Sequence, residues 1–163
     1  MQKTKPLQAN RLPLPEMRCL SIGVTLRACT GRALPLPRPE RVLIASPRHT
    51  FADLALAIDE AFGRWELGSG REYSFEDGSR AGEAVDGSRR RDLVDDRRAR
   101  LYRLREGERF VYLADTGERW EHECVVVGWI DPDEVLLDGP SHPVVYQARG
   151  RNPAVVAGGR TTG

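Results

Sequence analysis

Apolar and polar residues alternate from Arg18 to Cys29. Leu20, Ile22, Val24, Leu26 and Ala28 fall on one face; Cys19, Ser21, Gly23, Thr25 and Arg27 fall on the other. A period of two is the signature of a strand with one buried face. Arg41 to Ala45 is a second, short apolar strand, ended by Pro47. Between them, residues 30–40 carry Pro35, Pro37 and Pro39 at every second position, too proline-dense for an inner strand, so they read as a loop. The period then changes. Phe51, Leu54, Ala55, Ile58, Ala61 and Phe62 recur at helical spacing. Thr50 is the N-cap and Asp53, three residues on, completes a capping box in which Asp replaces the usual Glu. Gly63 stops this helix, and Asp53, Asp59 and Glu60 are expected to face solvent.

Past a loop at 65–70, residues 71–76 form a third short strand around Tyr73 and Phe75. The Gly-, Ser- and Asp-rich stretch 77–88 reads as a mobile connection. Leu93, Arg97, Leu101 and Leu104 recur at helical spacing, which predicts a short helix before the turn at Glu106-Gly107. The strongest strand signal follows. Phe110 to Ala114 is aromatic and β-branched, Asp115-Thr116-Gly117-Glu118 is a turn, and Trp120 to Ile130 returns. With a two-residue turn, Leu113 opposes Trp120 and Val111 opposes His122. The core face then holds Val111, Leu113, Trp120, His122, Cys124 and Val126. A three-residue turn would shift that pairing. Residues 134–137 add a strand or a helical turn, and Val144 to Ala148 reads as a last edge strand.

The sum is an α+β fold: a roll-like mixed sheet of about five strands, with one main capped helix packed on it. Residues 1–16 read as a disordered leader, 17–149 as a single domain and 150–163 as a flexible tail. A chain of 163 residues is long enough to bury one real core.

Composition changes the picture little. Forty per cent hydrophobic and thirty per cent charged residues, with a net charge of +1, give no bulk electrostatic case for nucleic acid or membrane. Lys3 and Lys5 are the only lysines among 25 basic residues, which fits a GC-rich coding bias better than a demand for guanidinium chemistry. No run of about twenty apolar residues is present, so no membrane-spanning helix is expected. Cys19, Cys29 and Cys124 are odd in number and far apart, which fits reduced thiols and a cytoplasmic location.

Four polar groupings bear on chemistry. His122 and Cys124 share a strand face but stand roughly 6–7 Å apart, too far for the direct bond of a Cys–His nucleophile, so structural roles are favoured. His49, His122, His142, Cys19, Cys29 and Cys124 show neither CxxC nor HxxxH spacing, so no metal and no cofactor is expected. The carboxylates Asp115, Glu118, Glu121 and Glu123 look like a solvated strand face paired with Arg109 or Arg119. Finally, residues 89–109 carry nine arginines against Asp92, Asp95, Asp96, Glu106 and Glu108. Arg89, Arg90, Arg91, Arg97, Arg98 and Arg100 are the candidate phosphate contacts of a nucleic-acid reading, although Tyr102 alone supplies an aromatic for stacking.

Three stretches resemble the plasmid pRiA ORF-3-like family. They are Ile22-Gly23-Val24-Thr25-Leu26-Arg27, then the helix from Thr50 to Gly63, and then Gly107 to Tyr112 continued through Asp115-Thr116-Gly117-Glu118-Arg119-Trp120-Glu121-His122-Glu123. The last is similar to the family's Asp-Phe-Gly-Asp turn followed by Trp-x-His, and is the most specific. The resemblance covers roughly residues 19–128. Thr116 and Glu118 replace the family's Phe and second Asp, a proline-spaced loop replaces its Ile-Trp-Arg-Arg entry, and the tail lacks its cysteines. The family accompanies plasmids and transposons, and the resemblance implies a compact α+β roll. Its occasional resolvase label is not chemistry, since no serine nucleophile pattern is present.

The expectation is therefore a non-catalytic binding or interaction module with an unidentified protein partner. Its candidate surface is Asp115, Arg119, Trp120, Glu121 and His122. The alternatives are nucleic-acid binding through 89–109, and a hydrolase or metal-dependent enzyme centred on Asp115 and His122.

Overall fold

A computed structural model describes residues 18–64, 70–83, 93–131 and 140–152. The alternating segments all become strands: β1 (Cys19–Cys29), β3 (Glu40–Ala45), β4 (Glu72–Phe75), β7 (Arg109–Asp115), β8 (Arg119–Ile130) and β9 (Val144–Arg149). Three shorter strands join them: β2 (Arg32–Ala33), β5 (Arg80–Gly82) and β6 (Leu93–Asp95). The fold is therefore mostly β. It is a nine-stranded mixed sheet ordered β6-β5-β4-β7-β8-β1-β3-β9, with β2 paired to β1. This corrects the expected five-stranded α+β roll. The added strands are two or three residues long, too short for any period to show in sequence. β5 and β6 pair in parallel and the other neighbours are antiparallel.

One α-helix, α1 (Phe51–Ala61), is present among the described residues. Its start is the expected reciprocal cap: the Asp53 amide donates to Thr50 Oγ1 at 3.1 Å, and the Thr50 amide donates to Asp53 Oδ2 at 2.9 Å. Gly63 follows the helix end at φ +81°, where a side chain would be strained. Phe51, Leu54, Ile58 and Phe62 are fully buried, worth roughly 1.5–3 kcal/mol each before chain entropy. Phe51 sits in edge-on contact with Tyr73 and Phe75, at centroid separations of 5.1 and 5.5 Å. The buried Tyr73 hydroxyl donates to the Phe51 carbonyl at 2.8 Å, pinning the first helical turn to β4.

The helix predicted from Leu93, Arg97, Leu101 and Leu104 is not formed. Leu93 opens β6, and only a single 3-10 turn spans Leu101–Arg103. Leu101 and Leu104 are buried all the same, so the apolar pattern was a burial signal without a helix. Two aspartates decide the geometry. Asp95 accepts from the Arg97 amide at 3.0 Å and shapes a turn. Asp96 is fully buried and accepts from Arg71 Nε at 2.8 Å and Nη2 at 3.3 Å, tying this segment to the start of β4. The 134–137 element lies outside the described residues.

A polar constellation sealed beneath the hairpin

The β7–β8 turn decides which hairpin side chains face inward. Asp115 pairs with Arg119, leaving Thr116, Gly117 and Glu118 in a three-residue turn. Gly117 takes φ +100°, and its amide donates to Asp115 Oδ1 at 3.1 Å. The one-residue shift puts Ala114 opposite Trp120, Tyr112 opposite His122 and Phe110 opposite Cys124. Trp120, His122, Cys124 and Val126 are buried as expected. On β7, however, Phe110, Tyr112 and Ala114 are buried, and Val111 and Leu113 are only half-buried. The period of a strand identifies two faces; turn length decides which of them meets the partner's core face.

Asp59 overturns a second expectation. It is fully buried and does not face solvent. Its carboxylate accepts from Arg64 Nη2 at 3.1 Å and Nε at 3.3 Å, and from the Tyr112 hydroxyl at 3.0 Å. Arg64 Nη2 also donates to His122 Nε2. His122 Nδ1 lies 2.9 Å from the Tyr112 carbonyl. The donors then assign one arrangement: Nδ1 carries the proton and donates to that carbonyl, while the Nε2 lone pair accepts from Arg64. The Arg64 guanidinium lies 5.2 Å from the centre of the Trp120 ring and 5.8 Å from that of Phe62. Its Nη1 is buried without a hydrogen-bond partner among the described residues, so these ring faces are its compensation.

Electrostatics follow from this packing. Burial, and then the adjacent Arg64 charge, hold His122 neutral with a pKa lowered to about 3. Burial raises the Cys124 thiol, keeping it un-ionised. Burial also raises the Asp59 carboxyl, against the opposing pull of Arg64 and of the Tyr112 hydroxyl. Tyr112 is pushed well above the usual phenol value by burial and by Asp59. The shifts at His122 and Cys124 run against the chemistry of a histidine general base or a thiolate nucleophile.

The five hairpin residues divide between the two sides of the sheet. Trp120 and His122 are inside. Glu121 is outside, paired with Arg27 of β1, whose Nε donates to Glu121 Oε2 at 2.6 Å, and not with Arg119. Arg109 and Arg27 flank Glu123 at 3.8 Å each. Asp115 belongs to the outward parity of β7 and Arg119 is exposed at the turn. Asp115 and His122 are thus on opposite faces, and no acid–base pair forms between them.

The metal candidates are scattered too. His49 Nδ1 accepts from the Ser46 amide at 3.0 Å, and its Nε2 lies 3.0 Å from the Pro140 carbonyl. No group of three or more His, Cys, Asp and Glu side chains is placed to hold a metal ion among the described residues. Of the arginine candidates, Arg97, Arg98 and Arg100 are exposed, while Arg89, Arg90 and Arg91 lie outside the described residues.

Sequence reading missed Asp59, Arg64, Arg71, Asp96 and Arg41, all buried. For Asp59 a faint signal existed. On an ideal helix, at about 100° per residue, it lies roughly 40° from Ala55, at the border of the apolar stripe. Nothing local marks Arg64 or Asp96, whose partners come from other elements.

Comparison with known proteins gives a family and a fold. No curated protein matches. The structure is similar to the crystal structure of a protein of unknown function from Methanosarcina mazei Go1, with a TM-score of 0.65 and 18% sequence identity over 87% of this chain and 75% of that one. That likeness concerns the fold alone. The model of the plasmid pRiA4b ORF-3-like proteins matches residues 36–161, well over half of the chain. The chain therefore belongs to the plasmid pRiA4b ORF-3-like family.

Proposed function

We propose that this protein is a non-catalytic binding module that works through its exterior. One observation carries the reading: both ring nitrogens of His122 are engaged inside the core, one by Arg64 and one by the Tyr112 carbonyl. The hairpin group best suited to proton transfer is thus committed to packing. Of the five candidate hairpin residues, Asp115, Arg119 and Glu121 are the ones that face a partner. The hydrolase alternative is disfavoured by the separation of Asp115 and His122 across the sheet. No helix of the described residues is long and apolar enough to cross a membrane. Three free thiols accord with a reducing, cytoplasmic setting.

The test is an NMR titration of the full chain labelled at histidine. His122 is expected to keep a neutral, Nδ1-protonated imidazole from pH 8 down to pH 4. An imidazole that titrates near the ordinary 6.5 would mean an open, solvated site and would overturn the reading. So would stoichiometric zinc in the purified protein by elemental analysis.

A further inference from the structure

The arginine segment is not the isolated helix face that its sequence suggested. The fold lays it beside the loop that enters α1. The Leu101 amide donates to the His49 carbonyl at 2.8 Å, the Tyr102 amide to the Pro47 carbonyl at 2.9 Å, and Thr50 and Arg100 form an isolated antiparallel bridge. Arg100 Nη1 donates to the Arg48 carbonyl. Arg48, 52 residues from Arg100 in the chain, is thereby brought beside it, and Arg97, Arg98 and Arg103 flank Arg100 along the ridge that this segment forms in sequence, all exposed. Tyr102, between Arg100 and Arg103 in the chain, is 64% exposed, a large aromatic that the core does not use.

Arg97 and Arg98 are held only weakly by their carboxylates. Arg97 and Glu83 approach only to 3.9 Å, as do Arg98 and Asp95, and the Arg98 side chain is 88% exposed. Pairs of that kind contribute little in water, so a phosphate can displace the carboxylate. Asp53 is committed to the helix cap, and Glu83 also binds Arg71 at 3.4 Å. Glu76, Asp77, Glu106 and Glu108 line the surface beside Arg103 and Arg105, where Glu108 accepts from the Arg105 amide at 2.9 Å.

We infer that this ridge binds single-stranded nucleic acid, with phosphates on the arginines and a base stacked on Tyr102. The inference goes beyond the binding-module reading: it assigns a ligand to a second surface, apart from the hairpin residues. Charge complementarity supplies the phosphate class. The exposed ring favours a single strand, because a duplex hides its base faces while an unpaired base offers one for stacking. An acidic protein would satisfy the arginines and leave Tyr102 without a role.

The experiment is fluorescence anisotropy with a labelled fifteen-nucleotide oligothymidylate, a duplex of the same length and polyglutamate, each across a salt series. The expected result is binding of the single strand with a log–log salt slope of roughly −2 to −4, as a few phosphate contacts at about −0.7 each predict. Arg98→Gln with Arg103→Gln should lower that slope by roughly 1 to 1.5. Tyr102→Ala should weaken single-strand binding by roughly 5- to 150-fold, the range for loss of one base–aromatic stack. Thermal unfolding of each variant checks that it is folded; these side chains are exposed, so their transitions should match the parent. Equal or tighter binding of duplex or polyglutamate would overturn the inference, as would full binding by Tyr102→Ala. No binding of the oligonucleotide at low salt would also overturn it. The binding-module reading would survive any of these outcomes, because its own failure is read at His122.

Discussion

At Asp59, a charged residue stabilises the interior only while its partners are in place. Asp59→Asn would leave the Arg64 guanidinium without its counter-charge inside the core, at a cost of about 3–5 kcal/mol in urea unfolding. Asp59→Leu combined with Arg64→Met should cost less than the two single changes added together, because neither charge then remains buried alone. A double-mutant cycle showing simple additivity would contradict the contact. His122 gives the same site a pH signature. Its folded pKa of about 3 lies below the unfolded 6.5, so between those values the unfolded chain binds the extra proton. This contribution is fully present above pH 6.5, declines as pH falls, and has fallen by about 4 kcal/mol at pH 3. Asp59 acts oppositely: its raised pKa favours the folded state in acid and is lost as pH rises past the ordinary carboxyl range. The His122 share is therefore read as the difference between the parent and His122→Gln, whose stability curve should be flatter from pH 6.5 to 4.

At the scale of elements, caps and turns set where each segment stops and which way it faces. Thr50→Ala removes the acceptor of the Asp53 amide and should destabilise by about 0.5–2 kcal/mol, while Thr50→Ser should be close to neutral. Gly82 is a tighter constraint. A Cβ there would meet the Arg71 carbonyl oxygen at 2.9 Å, a backbone atom that cannot swing away. Gly82→Ala should therefore push β5 off β4 and loosen the parallel β5–β6 pair. Hydrogen exchange would show faster amides at 80–82 and 93–96 with β1 and β8 unchanged; unchanged protection there would refute the close approach. The hairpin shows how much rests on one residue of turn. Its strands were legible from Phe110 to Ile130, yet the inward set on β7 changed from Val111 and Leu113 to Phe110, Tyr112 and Ala114. No local propensity distinguishes the two- from the three-residue loop here; the aromatic side chains fit against Phe51 and Tyr73 only in the observed register.

Over the whole molecule, the long central strands carry the order that the short edge elements inherit. β1 lies between β8 and β3, and its buried Leu20, Ile22, Val24 and Leu26 line the core. Thiol accessibility reports on this layering. Cys29 is half-buried, whereas Cys19 and Cys124 are buried, so a native protein should react with about one equivalent of a thiol reagent and with three once unfolded. Rapid modification of Cys124 in the native state would contradict the sealed core. By itself the sequence determined the long strands, the capped helix, the turn at Asp115 and the inward positions of Trp120, His122, Cys124 and Val126. These follow from period, capping chemistry and side-chain alternation, which act within a few residues. Only the tertiary structure decided the β2, β5 and β6 pairings, the hairpin register, the burial of Asp59 with Arg64, His122 and Tyr112, and the meeting of Arg48 with Arg100. Each of those depends on a partner far away in the chain, and a buried charge is tolerated only where folding delivers the group that neutralises it.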